Sequence, residues 1–251
     1  MSGKKCRITV AAKNDSGEKA NQDSAYVGNI DDIFFAVVAD GVGGLDGGDM
    51  ASSFITKWAA VWWDDISPEI KEYTLEELQD AMVDFTMTVN SELVAVCRER
   101  GIQAGSTLTL MVMGKKKYNI VQVGDSRAYM YDGSWVSQMT KDQTVAEYEK
   151  ETGNTIDYVS EERKEHTLMQ CMGMNEEIEP VVYTGSVPEN CNILLCSDGL
   201  SNTLKEIDIK RELQKNISRQ DVLSNLTALA RTRGETDNIT SILIQKVQRT
   251  E

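Results

Sequence analysis

The stretch FFAVVADGVGGLDGGDMAS, residues 34–52, decides how this chain is read. Phe34 to Ala39 form an unbroken apolar run of strand length, the pattern of a strand buried on both faces. The run then ends in a carboxylate, Asp40, followed by Gly41 and a cluster of further glycines. The same pattern returns along the chain. Asp198 ends NILLCSD and precedes Gly199, Asp125 follows NIVQVG, and Asp237 stands immediately before NITSILI. One Asp-Gly at a strand end is an ordinary turn. Four aspartates at the ends of apolar strands gather at one end of the sheets if the strands lie side by side, and such a cluster repels itself unless cations neutralise it.

Outward from residues 34–52, CRITVAA, DSAYVGN and IFFAVVAD read as strands. GDMASSFITKWAAVWWDDI reads as a helix whose apolar face is marked by Phe54, Trp58 and Trp62 at i, i+4 and i+8. A second helix opens at TLEE, where Thr74 and Glu77 fit a capping box, and runs through Met82, Phe85, Val89 and Leu93 to a stop at Gly101. Strands return in STLTLMVMG, KKKYNIVQVGDSRAYMYDG and SWVSQMT, joined by turns at lysines 115–117 and at YDGSW. Residues 141–180 are polar and irregular, an inserted segment with some helix. The strand CNILLCSDG, a helical region from about residue 201, a helix opening near Ser218 and the closing strand NITSILIQKV finish the chain. Strands and helices come in separate blocks, an α+β order that two antiparallel sheets with helices outside would satisfy. The expectation is one domain over residues 1–251.

Composition removes several function classes. The formal charge of −14 argues against a phosphate-backbone surface for nucleic acid and against docking on anionic membranes. No apolar run approaches the ~18–20 residues of a membrane span, and MSGKKCRITVAAK is too weakly apolar for a secretory signal, so a cytoplasmic location is expected. Cys6, Cys97, Cys171, Cys191 and Cys196 are scattered without a CxxC pair and read as free buried thiols. Cysteine-based phosphatase chemistry lacks its Cys-x5-Arg loop, since the sixth residue after Cys191 is Ser197. The lone histidine, His166, makes zinc and Ser-His-Asp hydrolases poor fits and reads as a structural or segment residue.

A carboxylate cluster without histidine suits hard divalent ions, Mg2+ or Mn2+, that keep several waters. The glycines after Asp40 would let a backbone carbonyl reach an ion and a substrate approach closely. Two ions about 3.5–4 Å apart hold a shared water, lower its pKa and present it in line with a phosphorus atom. The chemistry implied is phosphate ester hydrolysis.

At this point the chain resembles the metal-dependent serine/threonine protein phosphatases of the 2C family, especially compact bacterial members. The motifs follow in the family's order: NQDSAYV (21–27), VADGVGG (38–44), GSTLTL (105–110), VGDSRAYMY (123–131), MTKDQT (139–144), LLCSDGLSN (194–202) and TDNIT (236–240). The resemblance implies a four-layer α-β-β-α sandwich, two antiparallel sheets flanked by helix pairs, with residues 141–180 as a flap beside a two-metal centre. It implies Asp40 as the bridging ligand, Asp198 and Asp237 completing the first metal, the Gly41 carbonyl on the second, and Asp125 on a weaker third. Catalysis would pass through the metal-bridging water, with no phosphoenzyme. Partners implied are phosphorylated proteins, among them a serine/threonine kinase or its targets, and nothing demands more than a monomer.

The chain also departs from the family pattern. Gln22 stands where the family has a glutamate associated with the second metal, which removes a charge. The upstream arginine that grips phosphate is missing, and Lys19, out of register, is the nearest cation. Asn202 replaces an aspartate that supports the third metal, Gln143 replaces the histidine of a DH pair, and Val42 stands where animal members carry a histidine. These substitutions leave open a second class, a pseudophosphatase that keeps the sandwich as a regulatory binding module. A phosphatase for a small phosphorylated metabolite is a third reading.

Overall fold

The computed structural model describes residues 5–17, 20–42 and 47–249. The chain opens with β1 (Lys5–Asp15), β2 (Asp23–Ile30) and β3 (Ile33–Val42), followed by the long helices α1 (Gly48–Ile66) and α2 (Leu75–Arg100). Then come β4 (Gly105–Ser106), β5 (Leu108–Met113), β6 (Lys117–Val123), β7 (Arg127–Tyr131) and β8 (Val136–Gln138). The helix α3 (Val145–Thr152) and a 3-10 turn at Glu161–His166 precede β9 (Val181–Ser186). The last elements are β10 (Cys191–Cys196), α4 (Asp198–Ser201), α5 (Glu206–Leu213), α6 (Arg219–Thr232) and β11 (Ile239–Arg249).

One sheet has the strand order β1-β11-β10-β7-β8 and the other β2-β3-β5-β6-β9, with β4 paired to β3. The ladders are antiparallel throughout. The alternation of side chains along β3 shows why its sequence is apolar without a break. Phe35, Val37 and Ala39 join Ile55, Trp63 and Leu93 in the core beneath α1 and α2. Ala36 and Val38 face the other way and meet Ile193, Leu195, Ile242 and Ile244 of the opposite sheet. On the far side of that sheet Leu194, Cys196 and Leu243 pack against Ile209 of α5 and Leu223 and Leu226 of α6. Three apolar interfaces therefore separate four layers in the order α-β-β-α, the expected architecture. Phe35 is fully buried and stacks on Trp63 with ring centroids 5.0 Å apart, the kind of side chain whose truncation costs ~3–5 kcal/mol.

The second helix follows its sequence signals. Thr74 and Glu77 form the reciprocal capping box, and Gly101 ends the helix in the left-handed region with φ of 65°. The first helix differs in its buried face. Ala51, Ile55, Ala59 and Trp63 turn inward, whereas Phe54 and Trp62 are only partly buried and Trp58 remains 38% exposed. Two alanines let α1 approach β2 and β3 closely, so the inward row is set by small residues that the aromatic spacing does not reveal. Cys97, Cys171 and Cys196 are free and buried and Cys191 is buried, while the Cys6 side chain lies outside what is described. Among the described residues no helix is long and apolar enough to cross a membrane.

Candidate metal centre

The pairing of β2 with β3 sets Asp23 directly opposite Asp40. The Asp40 peptide is fixed from the neighbouring chain. Its N–H donates to Thr107 Oγ1 at 3.0 Å, and the Thr107 N–H donates to the Asp40 carbonyl at 2.8 Å. Thr107 Oγ1 also meets Ser126 Oγ at 2.7 Å, which ties the strand end to the loop carrying Asp125. Gly124, with φ of 98°, turns that loop, and a Cβ there would stand 2.7 Å from Thr107 Cγ2.

Ser197 joins the two sheets. Its hydroxyl donates to Asp23 Oδ2 at 2.7 Å and accepts the Thr240 N–H at 2.9 Å. The next residue, Asp198, is half-buried and accepts from Asn202 Nδ2 at 3.1 Å. Asp237, in the exposed loop before β11, adds its charge to the field at Asp198, as does Glu235. Asp40, Asp125 and Asp198 thus come together, with Asp237 at the rim beside Asp198.

The electrostatics follow from burial without compensation. Asp40 keeps partial solvent exposure, yet burial and then the charges of Asp23, Asp198 and Asp125 push its pKa well above the carboxylate range. Burial lifts Asp23 to about 6 and Asp125 to about 7, in both cases with Asp198 adding repulsion. Asp198 is raised by burial, against the opposing hydrogen bonds of Asn202 and Asp40. Among the described residues no lysine, arginine or histidine forms an ion pair with Asp23, Asp40, Asp125 or Asp198. The guanidinium of Arg127 is committed to Asp142, with Nε–Oδ1 at 2.9 Å and Nη2–Oδ2 at 2.5 Å. Thr240 lies near Asp23, yet among the described residues neither Asp23 Oδ1 nor Thr240 Oγ1, both buried, has a hydrogen-bond partner of good geometry.

This donor set fits a hard divalent cation. It is oxygen-rich and uncompensated, and one buried carboxylate oxygen has nothing to bind. The nearby thiols do not compete as ligands, because burial pushes Cys171 up to about 11 and Cys196 up to about 12. Among the described residues no three acidic, histidine or cysteine side chains already close into a ligand cage. The carboxylates are near enough to raise one another's pKa without being drawn to a single point.

Gly41 shows what the bare backbone does. A Cβ there would stand 2.2 Å from the Gly48 carbonyl oxygen and 2.6 Å from that of Gln22, so only glycine allows β3 and α1 to approach. A Cβ on Gly48 would in turn lie 2.8 Å from Gln22 Nε2 and 2.9 Å from the Gly41 carbonyl oxygen. The Gln22 amide and the Gly41 carbonyl therefore border the same small space. The Gln22 backbone N–H is held by Asn238 Oδ1 at 2.8 Å. Lys19 lies outside the described residues.

Two residues carry more of the site than their sequence suggests. Asp23 has no apolar run before it, yet counting back equally from the two-residue turn at Asp31 and Asp32 places it opposite Asp40. Gln143 is a hub: its Oε1 accepts from the Gly124 N–H at 2.6 Å and from Gln170 Nε2 at 3.0 Å, which links the segment 141–180 to the Asp125 loop. His166 is exposed and lines a cleft of about 430 Å³ with Arg127, Asp142 and Asn202. A cavity of about 870 Å³ lies at the other end of the β2–β3 hairpin, around Asp31, Lys115 and Tyr118.

The chain is similar to known proteins over most of its length. A profile described as Protein phosphatase 2C matches residues 12–239. The serine/threonine phosphatase stp of Listeria welshimeri is 27% identical over 234 residues, covering 90% of each chain. The structure of the S. agalactiae serine/threonine phosphatase shares the fold with a TM-score of 0.83 at 24% identity, over 95% of this chain and 99% of that one. The catalytic domain of the serine/threonine protein phosphatase PstP, solved with two manganese ions, aligns with a TM-score of 0.80 at 26% identity, over 97% of this chain and 100% of that one.

Proposed function

Since the chain belongs to the protein phosphatase 2C family, we propose that it is a metal-dependent enzyme that hydrolyses phosphoserine and phosphothreonine in proteins, with two Mn2+ or Mg2+ ions as cofactor. The observation that carries this reading is the set Asp23, Asp40, Asp125 and Asp198, buried or half-buried together without an ion-pair partner among the described residues. A fold with no use for a cation would gain by replacing such a cluster with neutral groups. In this reading Asp40 would hold both ions, and Asp198 and Asp237 would help to hold the first. The Gly41 carbonyl and the Gln22 amide flank the second, and Asp125 serves a weaker third. When bound, the ions supply a water of lowered pKa and positive charge for the phosphoryl oxygens.

The chain's own residues hold and orient. Thr107 pins the Asp40 peptide, Ser197 pins Asp23 across the two sheets, and Asn202 steadies Asp198. Asp23 Oδ1, buried without a hydrogen-bond partner among the described residues, would be open to a hydrogen bond from water. Val42, 36% exposed after Gly41, offers no proton donor, so the leaving alkoxide takes its proton from water. Lys19 is the proposed phosphate-holding cation, a point charge rather than a bidentate fork. The partners are phosphoproteins of the same cell, a serine/threonine kinase or its targets among them, with the enzyme acting as a monomer.

Gln22 and Asn202 favour the alternative of a regulatory pseudophosphatase, because each stands where a charged ligand or its support is expected. One experiment separates the two: hydrolysis of a phosphothreonine peptide across a manganese and magnesium titration, with Asp40→Asn as control. Metal-dependent turnover that disappears in the variant establishes the phosphatase. Absence of turnover in the folded parent protein at every metal concentration overturns the protein phosphatase reading and favours the regulatory module.

A further inference from the structure

Asp237 differs from the other aspartates of the centre in being exposed and in a loop, between α6 and β11. Its local contacts are short-range: its N–H reaches Glu235 Oε1 at 2.8 Å, and the Asn238 N–H reaches its Oδ1 at 2.9 Å. A ligand carboxylate on such a loop needs an outside anchor, because positional tolerance at a metal is about 0.5 Å. Arg231, in the last turn of α6, reaches both sides of the gap.

We infer that Arg231 is the positioning residue of the Asp237 arm, clasping the 235–238 loop to the end of β1. Its Nη1 donates to the Asp237 carbonyl at 2.6 Å and to the Glu235 carbonyl at 3.1 Å. Its Nη2 donates to Asp15 Oδ1 at 2.8 Å and to the Asp15 carbonyl at 3.1 Å, and its Nε donates to Asp15 Oδ1 at 3.3 Å. All five N–H bonds of the guanidinium are engaged. Asn238 adds a second rung, donating from Nδ2 to the Ser16 carbonyl at 3.1 Å while its Oδ1 accepts the Gln22 N–H. Asp15, Ser16 and Gln22 are thereby tied to Asp237 and Asn238, and the whole is fastened to a helix whose Leu223, Leu226 and Ala230 are fully buried.

A surface Arg–Asp pair alone would contribute little. Three of the five bonds go to backbone carbonyls, two of them on the Asp237 loop, and this is the geometry of a part that fixes loop position. Lysine could not replace it, because an ammonium presents its donors from one atom and cannot span Asp15 and Asp237 together.

The inference rests on the proposed role of Asp237 as a metal ligand, and the test separates the two. Mn2+ binding to the intact chain is measured by calorimetry and by electron paramagnetic resonance for the parent, Arg231→Ala, Arg231→Lys, Asp237→Asn and the Arg231→Ala/Asp237→Asn double variant. Arg231→Ala is expected to weaken Mn2+ binding by ~10–100-fold, as loss of an outer support of a metal ligand does. Arg231→Lys should recover only a small part of that loss. The double variant should bind no more weakly than Asp237→Asn alone. Unchanged binding in Arg231→Ala with weakened binding in Asp237→Asn overturns the clasp and leaves the metal centre standing. Fully additive losses in the double variant also overturn it, because they show that Arg231 does not act through Asp237. Unchanged binding in Asp237→Asn overturns the ligand assignment and the inference with it. Should Arg231→Ala fail to fold, the same comparison is made with Arg231→Lys in both backgrounds.

Discussion

Asp208 and Asp23 are buried almost equally, at 5% and 6% exposure, and they behave in opposite ways. Asp208 meets the Arg233 fork squarely, Nη1 to Oδ2 and Nη2 to Oδ1 each at 2.7 Å, and also accepts the Lys205 N–H. The guanidinium holds its pKa below the usual carboxylate value. Asp23 has one hydroxyl, no cation among the described residues and a second aspartate across the ladder, and burial lifts it to about 6. Burial of a carboxylate is therefore uninformative by itself. Its missing partner is the signal, since one region is complete as folded and the other is complete only with a cation.

The hardest test of this contrast is Asp40→Asn. Turnover of a phosphothreonine peptide should vanish, while the metal-free protein, relieved of a self-repelling charge, should melt several degrees higher. A variant that loses activity and stability together would place Asp40 with Asp208 among structural residues.

The pH dependence sharpens the comparison next. Asp23 and Asp125 have folded pKa values above their unfolded ones, so the folded state binds more protons than the unfolded chain over this range. Their cost is absent below about pH 4 and grows as pH rises through about 6 to 7. For Asp23 alone it is on the order of 2–3 kcal/mol. Asp208 is the reverse: its contribution is present above its unfolded pKa and is lost as pH falls through its lower folded value. Thermal melting of the metal-free protein from pH 4 to 7.5 should show stability declining from about pH 4 and levelling near 7, and saturating Mn2+ should flatten that decline. A metal-free profile that rises toward neutrality would break the comparison.

Asp208→Asn should lower the melting temperature by roughly 2–6 °C at neutral pH and leave peptide turnover unchanged. The same substitution type at Asp40 and at Asp208 would then move stability in opposite directions.

Much of this was legible in the sequence because apolar runs and strand-end aspartates encode it locally. The run 34–39 gives a strand buried on both faces, and the recurrence of aspartate after other strands gives the site. The inward row of α1 was not legible, because Ala51 and Ala59 carry less apolar signal than Phe54 and Trp58 although they face the sheet. Asp23 sits in a polar stretch, and its importance depends on β2–β3 register. Arg231 and Gln143 act through bonds to distant backbone, on Asp15 and Asp237 in one case and on Gly124 in the other. Such contacts have no local pattern and appear only once the loops are brought together.

The smallest expected effect is at Gln22, a neutral amide beside the carboxylate region. Its amide borders the space shared with the Gly41 carbonyl, and its own backbone is held by Asn238, so Gln22→Glu changes charge without changing reach. In the metal-free protein the new carboxylate joins an already repelling group and should lower the melting temperature slightly. With Mn2+ it should tighten binding roughly tenfold, equivalent to ~1.4 kcal/mol, because an anionic oxygen replaces a neutral one beside the ion. Calorimetric titration of parent and variant reads both consequences from one preparation. Unaltered affinity would remove Gln22 from the metal centre and leave the aspartates as its only charged determinants among the residues tested.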